Sequence, residues 1–107
     1  MITAMETLHP MTTPSSALSQ HRAAVRAAVR RFPVANPRVF GSVLTGQDHV
    51  GSDLDLLVDP LPGTTLFDLG GLQDELEEIL GVPVDVLTPG DLPARFRPQV
   101  LAQAQPL

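Results

Sequence analysis

Apolar residues recur at helical spacing in two stretches of the chain. Leu18, His21, Val25, Ala28, Val29 and Phe32 fall three or four positions apart, which predicts a helix capped by Ser15 or Ser16 and stopped by Pro33. His21 then sits at the edge of the core. Arg22, Arg26 and Arg30 lie one turn apart on another stripe of this helix and read as a solvated face, the other reading being a contact surface for an acidic partner. Leu66, Leu69, Leu72, Leu76, Ile79 and Leu80 predict a second helix, opened by Thr65 with Asp68 at the capping-box position and closed by Gly81. Gly70-Gly71 weakens its middle, and the DELEE run makes its outer face acidic.

Short apolar runs between and after these helices predict strands. Arg38, Val39 and Phe40 form one, ending at Gly41-Ser42, and a turn or short helix follows as far as Gly46. After a loop over residues 47–52, residues 54–58 alternate as a second strand, closed by Asp59-Pro60 and the Pro62-Gly63 turn. Residues 82–87 form a third, and residues 91–107 are partly helical with an interruption at Pro98. Residues 1–15 are polar, contain proline and are rich in Thr and Ser, so they are expected to be disordered, leaving one domain over 16–107. Met5 and Met11 are further possible translation starts. The order helix, strand, turn, strand, helix, strand, helix predicts an α+β fold, a small mixed sheet with flanking helices.

Composition narrows the function. With 107 residues the chain can bury a modest core, built mostly from Leu, Val, Ile and Ala because it has four Phe and no Trp or Tyr. Its net charge of -5 argues against a nonspecific nucleic-acid binder. There is no cysteine, so disulfides and thiolate metal sites are excluded. No apolar run approaches a membrane span, and the N-terminus lacks the basic and apolar regions of a secretory signal; the expected location is the cytoplasm.

The chemistry concentrates in GSVLTGQDHVGSDLDLLV, residues 41–58. Side chains two apart in a strand share a face, so Asp53 and Asp55 project together while Leu54, Leu56 and Val58 face the core. Carboxylates that close repel each other, and a hard divalent cation such as Mg²⁺ relieves the repulsion. Taken alone, the pair would read as a turn residue and an accident of alternation. Gly41-Ser42 changes the balance: Gly lets backbone approach a ligand closely, and Ser42 adds a hydroxyl and a turn whose N–H groups suit phosphate. Asp85, between Val84 and Val86, either faces water on an edge strand or stands beside Asp53 and Asp55 on a neighbouring one. Together these residues meet the needs of phosphoryl-type transfer, in which carboxylates hold metal ions and backbone donors position phosphates. His49, Asp48, Asp59, Arg95 and Arg97 read as solvated or turn-forming residues.

This segment resembles the nucleotidyltransferase signature of the DNA polymerase beta superfamily, in which Gly-Ser precedes an Asp-x-Asp on a strand. The short chain and the ending VDVLTP…LAQAQPL are similar to the minimal nucleotidyltransferases (MNT), over roughly residues 18–107. The resemblance implies a polymerase-beta-like fold. It implies that Gly41, Ser42 and Ser52 hold the nucleotide and that Asp53, Asp55 and Asp85 bind Mg²⁺ or Mn²⁺ and are catalytic. Asp85 would also orient the acceptor hydroxyl. It further implies ATP as donor and a HEPN-type toxin as partner, silenced by transfer of AMP to a tyrosine. Many relatives carry arginines after Gly-Ser, where this chain has Val43, Leu44 and Thr45; Arg38 is one residue that could compensate. The alternative is a weak or inactive nucleotidyltransferase-like module that neutralises or regulates a partner by binding.

Overall fold

A computed structural model describes residues 12–107. Residues 1–11 of the segment expected to be disordered lie outside them. Helix α1 spans Pro14–Val29, β1 Val34–Phe40, α2 Ser42–Thr45, β2 Leu54–Pro60, α3 Leu66–Leu80 and β3 Val84–Leu87. A 3-10 turn over Pro89–Asp91 leads to α4, Arg97–Gln103, and to β4, Gln105–Pro106. The strands form one mixed sheet in the order β3-β2-β1-β4. β1 is antiparallel to β2 and β4, and β2 is parallel to β3. This is the α+β architecture the sequence predicts.

Helices α1 and α3 cover one face of the sheet. Leu18, Val25, Ala28 and Val29 from α1 and Leu72, Leu76 and Leu80 from α3 close over Val39, Leu54, Leu56, Val58, Val84 and Val86. The alternation along β2 therefore sends Leu54, Leu56 and Val58 into this core and leaves Asp55 on the opposite face, as expected. Leu57 also faces away from the helices yet is fully buried, because the segment around Pro89–Asp91 packs against β2.

Several expectations need correction. Thr13, not Ser15 or Ser16, caps α1: its hydroxyl accepts the Ser16 N–H at 3.2 Å, and Pro14 occupies the first turn, where a missing N–H costs nothing. The helix ends at Val29 rather than at Pro33, and Phe32 packs on the core from the turn beyond it. His21 is exposed and sits at a kink with non-helical backbone angles, so it is not a core-edge residue. Leu66, placed on the apolar face of α3, is 85% exposed, as is its neighbour Phe67 at 92%. Pro98 does not interrupt the tail helix; it lies in the first turn of α4. β1 begins at Val34, four residues before the predicted strand, and crosses an irregularity between Ala35 and Arg38 where Asn36 takes φ 54°.

The cap of α3 forms as expected: Asp68 N–H donates to the Thr65 hydroxyl at 3.2 Å, and Thr65 N–H donates to the Asp68 carboxylate at 2.9 Å. The two glycines inside this helix differ. A Cβ at Gly70 would meet nothing within 4 Å, whereas one at Gly71 would stand 3.3 Å from the Phe32 ring. Gly70→Ala should therefore stabilise the fold by about 0.5–1 kcal/mol in urea unfolding. Gly71→Ala should gain less, because Phe32 must give way.

The acidic run of α3 is not a uniformly solvated face. Glu75 pairs with Arg31, and the Glu77 carboxylate accepts the main-chain N–H of Val84 at 2.9 Å. Among the described residues no helix is long and apolar enough to cross a membrane.

Candidate active site

The site forms where β1 ends and β2 begins. Phe40, the last residue of β1, pairs across the ladder with Asp55, and Asp55 pairs in register with Asp85 on β3. Residues directly opposite each other share a face of the sheet. The Asp55 and Asp85 side chains thus start side by side on the face away from α1 and α3. Asp53 immediately precedes β2 and shares that face through the two-residue period. Asp85 is both things the sequence left open: it lies on an edge strand, exposed, and it neighbours Asp55.

Gly41 joins the turn to the carboxylates. Its backbone angles, φ 81° and ψ -149°, lie close to a region that only glycine occupies readily. A Cβ there would collide with the Asp55 carboxylate oxygen, and would stand 3.3 Å from the Asp55 Cγ. The glycine is therefore required by the close approach of Asp55 itself, a reason that the sequence reading did not contain. Ser42 opens α2, and a cleft of about 330 Å³ beside it is lined by Phe40, Leu44, Thr45 and Gln47 together with Val100 and Gln103 of α4.

The loop between the two motif halves is held from within and from α1. The Ser52 hydroxyl accepts the His49 N–H at 2.9 Å, so it shapes the turn; its own O–H hydrogen stays free to donate elsewhere. Asp48 is more than a turn former, since its carboxylate accepts the Ser15 N–H in the first turn of α1 at 2.9 Å. That backbone donor holds the Asp48 carboxyl below its ordinary range. His49 is exposed.

Arg38, the residue that could compensate, does not reach the turn in this arrangement; Arg22 of α1 instead lines a cleft with Val43 and Leu44. Arg38 shares the Asp55 face but is held at the other end of β2, where it pairs with Asp59 at 3.1 Å and donates to the Asn36 carbonyl at 2.7 Å. Arg97 is not a solvated surface residue; it is partly buried and donates to the Leu92 carbonyl at 2.8 Å. Arg26, from the stripe read as solvated, donates to the Leu107 main-chain oxygen at 2.8 Å. A larger cavity, about 380 Å³, lies beside Arg26, Arg30 and Asn36. None of Asp53, Asp55 and Asp85 lines it, and chemistry rather than size marks the candidate site.

Electrostatics mark Asp55 as the strained member of the set. Burial pushes its carboxyl up from 3.8 to about 6, and the negative charges of Asp85 and then Asp53 add to the effect. Among the described residues no three acidic or histidine side chains already close round one point. Asp53 and Asp85 are exposed, and exposed side chains change rotamer freely. An all-carboxylate donor set of this kind suits Mg²⁺ or Mn²⁺. The repulsion at Asp55 is the kind a divalent cation removes.

A stability test follows from this shift. A carboxyl whose folded value lies above its unfolded value stabilises the fold fully only in acid, and that contribution is lost as pH rises through the folded value. Asp55→Asn should therefore raise the melting temperature of the metal-free chain at pH 8, by the equivalent of about 1–2 kcal/mol after allowance for solvent screening. It should do little below pH 4. Millimolar Mg²⁺ or Mn²⁺ should stabilise the wild type and not this variant. Thermal melts across pH, with and without metal, read both effects.

The chain is similar to known proteins. The sequence model of one family, the nucleotidyltransferase domain, matches residues 21–106. The protein adenylyltransferase MntA of Thermococcus cleftensis is 33% identical over 82% of this chain and 86% of its own length. A solved structure described as a candidate minimal nucleotidyltransferase superposes with a TM-score of 0.77 at 43% identity, covering 87% of this chain and 95% of that one. A toxin–antitoxin crystallised with AMP-PNP shares the fold, with a TM-score of 0.66 at 21% identity over 77% of this chain and 68% of that one.

Proposed function

This chain belongs to the nucleotidyltransferase domain family, as a minimal nucleotidyltransferase, and on that premise we propose that it is an antitoxin that transfers AMP from ATP to a tyrosine of a HEPN-type toxin. The observation that carries the reading is the joint between Gly41 and Asp55. It makes the turn and the carboxylates one unit, so a triphosphate on the turn would lie beside the metal ligands.

Asp53, Asp55 and Asp85 would hold Mg²⁺, which when bound supplies neutralising charge at the triphosphate. Ser42 would donate its hydroxyl hydrogen to a phosphate oxygen, and Ser52 has a hydroxyl hydrogen to offer as well. Asp85, exposed at the sheet edge, would orient the acceptor hydroxyl and take its proton. The phenolic oxygen bonds to the α-phosphorus, the bond from that phosphorus to the bridging oxygen breaks, and pyrophosphate leaves. The product is a tyrosine bearing AMP.

The partner assignment is supported by what related proteins are. The MntA relative is a protein adenylyltransferase, and the AMP-PNP structure is a toxin–antitoxin. A second reading, neutralisation by binding alone, is favoured by one observation: Val43, Leu44 and Thr45 provide no cation after Ser42, and Arg38 is engaged by Asp59. Incubation with ATP, Mg²⁺ and the product of the adjacent gene separates the two. A gain of one AMP in the intact mass of that partner, mapped to tyrosine, is the expected result. A stable complex without a mass gain assigns the protein to binding alone.

A further inference from the structure

Two side chains of α3 reach the outer edge of β3 on either side of Asp85. Val84 N–H donates to the Glu77 carboxylate at 2.9 Å, and Val86 N–H donates to the Gln73 amide oxygen at 3.2 Å. In a strand, alternate amides point to opposite edges, so on β3 the amides of residues 84 and 86 face outward while that of Asp85 faces β2. The spacings match. Gln73 and Glu77 are one helical turn apart, a rise of about 6 Å, and two residues of strand span about 6.6 Å. α3 runs antiparallel to β3, so the later helix residue meets the earlier strand residue.

We propose that Gln73 and Glu77 are positioning residues that set where the Asp85 carboxylate stands relative to Asp55. The inference rests on the reading of Asp85 as a metal ligand. An edge strand paired on one side only is free to slide or fray, and Asp85 is carried by four residues of such a strand. Leu54 N–H fixes the start of the strand through the Pro83 carbonyl at 2.8 Å, but on the inner side alone. The two α3 side chains hold the outer side, next to the residue that must meet its partner. Only an acceptor oxygen is needed at either position, so Glu77→Gln and Gln73→Glu keep the function, whereas Glu77→Ala and Gln73→Ala lose it.

The test combines amide exchange, metal binding and transfer. Hydrogen exchange by NMR at Val84 and Val86 should accelerate in Gln73→Ala/Glu77→Ala and stay slow in Glu77→Gln. Titration with Mn²⁺ should show affinity weakened by about 10-fold or more in the double alanine variant and restored in Glu77→Gln. The transfer rate should fall with it, while the KM for ATP holds at saturating metal. Fast amide exchange with unchanged Mn²⁺ affinity overturns the proposal, because the contacts then serve stability alone. Unchanged exchange overturns it as well. Asp85→Asn is the separate control: if it leaves Mn²⁺ affinity intact, the reading of Asp85 fails. If it abolishes binding while the double alanine variant does not, only the positioning role fails.

Discussion

Asp55→Asn should lower the transfer of AMP to the partner by more than about 100-fold while the complex with the partner still forms. The magnitude follows from position. Groups that only support metal ligands typically cost about 10- to 100-fold when removed, and a ligand between two other carboxylates should cost more. The substitution keeps the size of the side chain, so the Gly41 contact and the core beneath β2 remain. It also removes the raised carboxyl that burdens the metal-free fold, so the variant should be at least as stable as wild type. Lost activity then cannot be ascribed to unfolding. The measurements are intact mass of the partner over time, gel filtration of the complex, and rescue of cells expressing the partner. Rescue equal to wild type without a mass gain would show that protection needs no chemistry.

Gly41→Ala should damage both the fold and the site. Placing a Cβ at φ 81° and ψ -149° costs about 1–3 kcal/mol on backbone grounds. The same Cβ strikes the Asp55 carboxylate, which must leave its position or push the turn away. Urea unfolding should show the loss, and transfer should fall at least as far as in Asp55→Asn. Gly41→Val should be worse. A double-mutant cycle isolates the collision: with Asp55→Ala the clashing atoms are gone, so Gly41→Ala should cost measurably less in that background. If the cost is the same in both backgrounds, the glycine serves the backbone alone. Ser42→Ala is the contrast, expected to slow transfer with little effect on stability.

The candidate site is legible in the sequence because its signals are local. A two-residue period places Asp53 and Asp55 together, Gly-Ser after an apolar run marks a turn, and an acidic residue inside VPVDVL stands out. What was missed depends on partners distant in sequence. β4 is two residues that become a strand only because β1 offers an edge, and no pattern in AQPL announces it. Gln73 and Glu77 carry no local signal of their role, because the amides they hold belong to another element. The Thr13 cap is different: Thr followed by Pro in TTPSS is itself a helix-start signal, and the serines after it drew attention away. The kink at His21 has no local sequence cause that we can name.

The parallel pairing of β2 with β3 also orders events in time. Parallel strands cannot be joined by a tight turn, so the chain between Asp55 and Asp85 passes through α3 before the two residues meet. Closing so long a connection costs chain entropy before the contact rewards it. A chain still emerging from the ribosome presents the Gly41 turn, Asp53 and Asp55 well before it presents Asp85. On the proposed reading, competence for chemistry therefore waits for a long-range contact, that of β2 with β3, rather than accumulating along the local motif. A copy in which β3 has not yet docked would hold the Gly41 turn, Asp53 and Asp55 without the third carboxylate beside them.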